Sequence, residues 1–140
     1  MIPVKICGIR RLEDALLSLE EGAWALGFIF HRPSPRFIEP QEAADLLAEI
    51  RRQAAGDFRS VGVFVDWELE ELNGVVEQAG LDVAQLHGEE TPAYAAGVTA
   101  AEVWKAFRVG PGFDPGLLDG FPPGVRILLD GWSPVEAGGT

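Results

Sequence analysis

The chain has 140 residues, 47% of them hydrophobic, and carries a formal net charge of −11, so it is long enough for one domain with a core of its own. An acidic chain of this kind excludes a nucleic-acid backbone or an anionic bilayer as expected partners, because both are held by clustered Lys and Arg. No apolar run approaches the roughly 20 residues of a membrane span, no export signal is evident, and the single cysteine, Cys7, permits no internal disulfide, which together suit a cytoplasmic protein.

Short apolar runs alternate with amphipathic stretches along the chain. Val4–Ile6 is the first run; Leu12, Ala15, Leu16 and Leu19 follow at helical spacing, and Gly22 stands where a helix C-cap falls. The second run, Ala25–Phe30, leads through a Pro-rich loop to Pro40. That proline suits the first turn of a helix, with Glu42 behind it to complement the helix dipole. Ala43, Leu46, Leu47 and Ile50 give this helix its apolar stripe. Val61–Val65 is the third run, followed by Leu69, Leu72, Val76 and Ala79, with Gly80 as the stop. After Val83–Leu86, the fourth, Thr91-Pro92 reads as an N-cap with proline at the first helical position, and Gly97 and Thr99 keep that helix short. Val103–Val109 is the fifth run; the Gly- and Pro-rich stretch after it is the poorest helix candidate of the chain. Ile127–Leu129 is the sixth.

Strand–helix–strand units of this length imply parallel pairing, because each connection must cross back over the sheet. Runs that are apolar on both faces, such as Leu26–Phe30, fit strands covered by helices. An α/β fold follows, either an open doubly wound sheet or a (βα)8 TIM barrel. The residues that close the runs decide between them: Cys7, His31 with Arg32, Asp66, His87, Arg108 and Asp130. Candidate groups at six strand ends favour the barrel, whose active site draws on the C-terminal ends of several strands. No linker divides residues 1–140, so the expectation is a single domain comprising about the first six βα units of a barrel.

Cys7, followed by Gly8, sets a thiol at the barrel mouth, and strand alternation gives Lys5 the same facing. An ammonium nearby favours the thiolate, whereas the plainer reading of a lone cysteine is a small buried hydrophobe. Asp130, closing Ile127-Leu128-Leu129, is expected among apolar neighbours that raise its pKa and fit it for general-acid work; a strand-end aspartate capping a turn is the plainer reading. In a closed barrel the two face each other across the mouth, as a base and an acid must for a proton-shuffling isomerisation. Arg36, in the loop stiffened by Pro33 and Pro35, suits a bidentate grip on a carboxylate. His87 is expected to contact substrate or support the loop. His31 has no evident partner, and Asp66 with Trp67 and Glu68 reads as a helix start rather than a site. Cys7 and His87 form no ligand-spaced cluster, so no metal is expected. Gly138-Gly139-Thr140 is weakly suggestive of a phosphate-approaching loop.

Val4-Lys5-Ile6-Cys7-Gly8-Ile9 with Leu12-Glu13-Asp14-Ala15, Ala25–Phe30, Ser34-Pro35-Arg36-Phe37-Ile38, Val61–Val65, Gln85-Leu86-His87-Gly88-Glu89-Glu90 and Leu128-Leu129-Asp130 together resemble the phosphoribosylanthranilate isomerase family. The resemblance runs in order along the whole chain. It implies an Amadori rearrangement in tryptophan biosynthesis, converting N-(5-phosphoribosyl)anthranilate to its 1-deoxyribulose isomer without metal or cofactor. It further implies Asp130 as general acid, Cys7 as general base and Arg36 as the anchor of the anthranilate carboxylate, in a monomer or homodimer.

A full barrel takes roughly 200 to 250 residues, so the chain is expected to be part of a longer product and, alone, weakly active or inactive. The two last strands and their phosphate-binding loops have no counterpart in it, and two sheet edges are left open. The alternatives are another sugar-phosphate barrel enzyme, which would use inward Asp and His ligands to a metal, and a non-enzymatic partial barrel serving binding or assembly.

Overall fold

Each strand of the sheet pairs with the one that follows it in sequence. The computed structural model describes residues 1–132; the Gly138-Gly139-Thr140 motif lies outside the described residues. The strands are β1 (Lys5–Cys7), β2 (Ala25–Ile29), β3 (Arg59–Phe64), β4 (Val83–Leu86), β5 (Glu102–Val109) and β6 (Arg126–Gly131). They form one six-stranded sheet in the order β1-β2-β3-β4-β5-β6, parallel throughout. A doubly wound sheet reverses its order at a switch point. This one never does, so right-handed crossovers carry α1 (Leu12–Glu20), α2 (Pro40–Gln53), α3 (Leu69–Ala79) and α4 (Pro92–Ala96) over the same face.

The other face is the inside of a curl. The ammonium of Lys5 on β1 donates to Oε1 of Gln85 on β4. In a flat sheet those strands would stand roughly 14 Å apart, three spacings of about 4.8 Å, beyond the reach of the two side chains. The bond therefore requires the sheet to bend towards a barrel.

Local signals place the elements. Pro40 opens α2, the Thr91 hydroxyl accepts from the Tyr94 N–H at 3.1 Å at the head of α4, and Gly80 ends α3 in the left-handed region with φ 65°. After β5 the chain makes a 3-10 turn over Pro115–Gly120 instead of a full helix, as its Gly and Pro content predicts. Strand bounds differ from the apolar runs by a residue or two. β1 starts at Lys5 and contains Cys7, and β3 starts at Arg59, because backbone pairing extends to polar residues that hydropathy passes over.

The core has two layers. Outside the sheet, Leu26, Phe28, Phe30 and Phe64 meet Ala15, Leu47 and Leu72 of the helices. Inside the curl, Ala25, Val61, Val83 and Trp104 pack together. The strand N-terminal end is closed by Trp24 stacked on Trp104 at 6.0 Å, with the Arg126 guanidinium over both rings. Glu102 gathers this end, accepting from Arg59 at 2.5 Å and from the Trp104 indole at 2.9 Å. Exposed apolar side chains collect at the sheet edges, with Ile2, Val4 and Ile6 beside β1 and Leu129 and Trp132 at β6.

The helix start expected at Asp66-Trp67-Glu68 falls at its last residue: the N-cap of α3 is Glu68. Asp66 sits in the left-handed region with φ 52°, and its carboxylate accepts from the Glu89 N–H at 2.7 Å, tying the loop after β3 to the loop after β4. Glu90 completes the tie: it accepts from the N–H groups of Asp66 and Gly88 at 2.9 and 2.8 Å and pairs with Lys105 at 3.1 Å. The Lys105 and Glu90 side chains are only 3% and 1% exposed, so removing either charge strands the other in a dry site. Lys105→Met is expected to lower stability by about 3–5 kcal/mol, read from the urea midpoint; a change under about 1 kcal/mol, the scale of an exposed pair, would show that the pair does not hold these loops.

Candidate active site

Cys7, His87, Arg108 and Asp130 stand at the C-terminal ends of β1, β4, β5 and β6, and the strand register directs them to the concave face. Cys7 is half-buried opposite Gly27 on β2. A Cβ on Gly27 would come within 2.8 Å of the Cys7 Sγ, so the glycine supplies the room the thiol occupies. Gly8 turns the chain away with φ 89°, and the Gly8 and Ile9 N–H groups both donate to the Gly27 carbonyl, at 3.0 and 2.9 Å.

The loop after β2 brings Arg36 to the same corner. Its backbone is held by the Ser34 hydroxyl, which accepts from the Arg36 N–H at 3.1 Å, and by the Phe37–Ile29 bridge. The guanidinium donates Nη1–H to the Cys7 carbonyl at 2.9 Å. A Cβ on Gly8 would lie 2.6 Å from the Arg36 Cδ, so glycine is required there both for φ and for the crossing side chain. Arg36 thus stands beside Cys7 with donors to spare, since a guanidinium has five N–H groups.

A chain of polar side chains crosses the concave face. Lys5 donates to Gln85 Oε1, Gln85 Nε2 lies 3.1 Å from His87 Nδ1, and His87 Nε2 lies 3.0 Å from Asp130 Oδ2. Burial pushes Lys5 below the ordinary lysine value, and the charge of Cys7 opposes the shift. Burial likewise pushes His87 below the ordinary histidine value; the carboxylate of Asp130 opposes this, and the cations of Arg108 and Lys5 add to it. The lowered proton affinity of His87 favours a hydrogen bond to Asp130 over an ion pair.

The sequence-derived candidates fall into two groups. Lys5 shares the facing of Cys7 as expected, although its ammonium bonds to Gln85. Asp130 differs from expectation in its surroundings: an imidazole, not an apolar wall, meets its carboxylate. Cys7 and Asp130 end the two edge strands, on either side of the opening. Arg32 joins no site; it pairs with Glu39 at 2.9 Å and lies over the Phe37 ring, holding its own loop. His31 makes no side-chain hydrogen bond among the described residues. Gln85 was missed, although a polar residue inside an apolar strand, two before His87 and so on its face, is a readable signal.

Among the described residues, a cavity of about 630 Å³ adjoins this site on the β5 side. His87, Arg108, Phe107, Phe113, Phe121 and Trp132 are among its walls. Cys7, Arg36 and Asp130 lie outside it, at the open edges. Among the described residues no group of three or more His, Cys, Asp or Glu side chains is placed to hold a metal ion.

A singly wound βα sheet with its polar groups at the strand C-terminal ends is the working arrangement of (βα)8 barrel proteins, of which these are six units. The chain matches the model of the family described as "N-(5'phosphoribosyl)anthranilate (PRA) isomerase" over residues 4–140, and it belongs to that family. It is 48% identical over 144 residues to the N-(5'-phosphoribosyl)anthranilate isomerase of Geobacter sp. (strain M21), covering 100% of this chain and 66% of the relative. The counterpart from Citrifermentans bemidjiense is 45% identical over 140 residues, covering 100% and 65%. Among solved structures, phosphoribosyl anthranilate isomerase from Thermus thermophilus superposes with a TM-score of 0.82 at 42% identity, covering 95% of this chain and 64% of that one. A phosphoribosyl anthranilate isomerase in complex with reduced 1-(o-carboxyphenylamino)-1-deoxyribulose 5-phosphate gives 0.77 at 37% identity, with 94% and 66% covered. The chain spans 64–66% of the length of three of the curated relatives it matches.

Two measurements check the geometry. Gly27→Ala is expected to slow alkylation of Cys7 several-fold, and because Cys7 is the sole thiol the rate is unambiguous; an unchanged rate would show that Gly27 does not set its access. His87 is expected to take its proton below pH 6.5, the ordinary histidine value, in a nitrogen-15 NMR titration with His31→Gln for assignment. Titration above that value would mean that Asp130 outweighs burial.

Proposed function

We propose that this chain serves the isomerisation of N-(5-phosphoribosyl)anthranilate to 1-(2-carboxyphenylamino)-1-deoxyribulose 5-phosphate, with Cys7 and Asp130 as its proton-transfer pair. The reading is supported by family membership together with the Cys7 thiol and the Asp130 carboxyl at strand C-terminal ends and Arg36 held beside Cys7 by the loop after β2. In this reading Asp130 gives its proton to the ribose ring oxygen while the bond from that oxygen to the anomeric carbon breaks and the anthranilate nitrogen lone pair forms the iminium. The Cys7 thiolate then takes the proton from the adjacent ribose carbon. Those C–H electrons form a carbon–carbon double bond, and the iminium electrons return to nitrogen, giving the enolamine. Proton return to the former anomeric carbon, with loss of the enol proton, gives the ketone. Atoms and electrons balance with no external oxidant.

Arg36 is the carboxylate anchor in this scheme. Its bond to the Cys7 carbonyl supports that role, because it fixes the guanidinium beside the base and so positions an anthranilate relative to the proton to be removed. Placing a carboxylate on a guanidinium fork is a task lysine performs poorly.

The test follows the fluorescence of the anthranilate substrate, which isomerisation removes. Cys7→Ser and Asp130→Asn are each expected to slow its loss by about 10²–10⁴-fold, the usual share of a positioned acid or base. Arg36→Ala is expected to weaken binding of the reduced product analogue, read by calorimetry, by about tenfold or more, in line with loss of a charge-assisted hydrogen bond of about 1.5–3 kcal/mol. Full activity in both the Cys7 and Asp130 variants would overturn the assignment.

A further inference from the structure

We propose that Lys5 and Gln85 are positioning residues for Asp130, acting through His87 by fixing the direction of one hydrogen-bond chain across the barrel interior. Protonated Lys5 has three donors and no acceptor, so the Gln85 atom that meets it must be the amide oxygen. That choice turns the Gln85 NH2 towards His87 Nδ1, 3.1 Å away. An NH2 group only donates, so Nδ1 of the neutral ring must accept and the ring proton must reside on Nε2. Nε2 then donates to Asp130 Oδ2 at 3.0 Å. The orientation of each link follows from the one before, and the first is set by the ammonium form of Lys5.

Burial makes the arrangement costly to leave unsatisfied and so hard to reverse. Lys5 lies over the Trp104 ring at 5.8 Å, a contact that favours its charged form. Gln85 is 4% exposed and the His87 side chain 10%. A flipped amide would set NH2 against ammonium and oxygen against a ring lone pair, two repulsions in a site with little water to relieve them. The consequence for Asp130 is specific. One oxygen is engaged by an N–H, which holds the carboxyl plane and leaves Oδ1 for the proton delivered to substrate. This consequence rests on the function proposed above; the direction of the chain does not.

The test uses the whole chain labelled with nitrogen-15 histidine, with His31→Gln to assign the signals. The expected wild-type spectrum has Nε2 protonated and Nδ1 bare. Gln85→Glu, nearly isosteric, offers acceptors to both neighbours and is expected to move a proton onto Nδ1. Lys5→Met removes the fixed donor and is expected to mix the two tautomers, while Lys5→Arg, still a donor-only cation, is expected to restore the wild-type pattern. In turnover assays Gln85→Glu is expected to lower kcat by about tenfold or more, part of the contribution of a positioned acid, with KM within about twofold. A ring protonated on Nδ1 in the wild type, or a tautomer indifferent to both Gln85→Glu and Lys5→Met in folded protein, would overturn the chain. A tautomer change with unchanged kcat would overturn its positioning role. Wild-type turnover is read separately and judges only the function proposed above.

Discussion

The ammonium of Lys5 reaches the amide of Gln85 only because the sheet between them is bent, and most of what distinguishes this molecule follows from that bend. A parallel sheet that always adds its next strand on the same side has helices on one face alone. Its second face must find cover within the sheet itself, and curling is the solution. Curling brings side chains from strands that are not neighbours into contact, which a flat sheet forbids. The polar chain from β1 through β4 to β6 is built of such contacts.

The two ends of the curl are finished differently. At the strand N-termini, Trp24, Trp104, Arg59, Arg126 and Glu102 form a closed packing of stacked rings, cations and one shared carboxylate. Every charge there has an opposite charge or an aromatic face beside it, which is an arrangement suited to holding strands together. At the C-termini the groups are a thiol, an imidazole, a carboxyl and two arginines with room around them. Glycine provides that room beside Cys7, and the tie among Asp66, Glu89, Glu90 and Lys105 steadies the loops nearby. On the function proposed above, stability and chemistry occupy opposite ends, as barrels generally arrange them.

Much of this was legible in the residues. Alternation of apolar runs with helical stripes gave the element order, and Gly80, Pro40 and Thr91 marked boundaries that the backbone respects. The collection of Cys7, His87 and Asp130 at strand ends was readable, and the structure brings all three to one rim of the sheet. What stayed illegible depended on the third dimension. Asp66 has the composition of a helix start, but the left-handed turn it occupies aims its carboxylate at the next loop. Asp130 follows three apolar residues in sequence, yet its neighbour in space comes from β4. Gln85 carries no chemistry by itself, and only the bond to a lysine three strand spacings away gives it a direction.

The neutrality of His87 bears on how protons move at this rim. An imidazole between Lys5 and Arg108 on one side and Asp130 on the other is pulled both ways, and burial tips the balance towards the uncharged ring. A neutral ring whose proton is already donated to Asp130 Oδ2 has no second proton to give. On the function proposed above, the proton for the sugar ring oxygen must then sit on Asp130 itself, at the oxygen that His87 does not occupy. Once that proton leaves, the N–H already in place stabilises the new carboxylate without any rearrangement, and a donor oriented in advance is worth most in a site that excludes water.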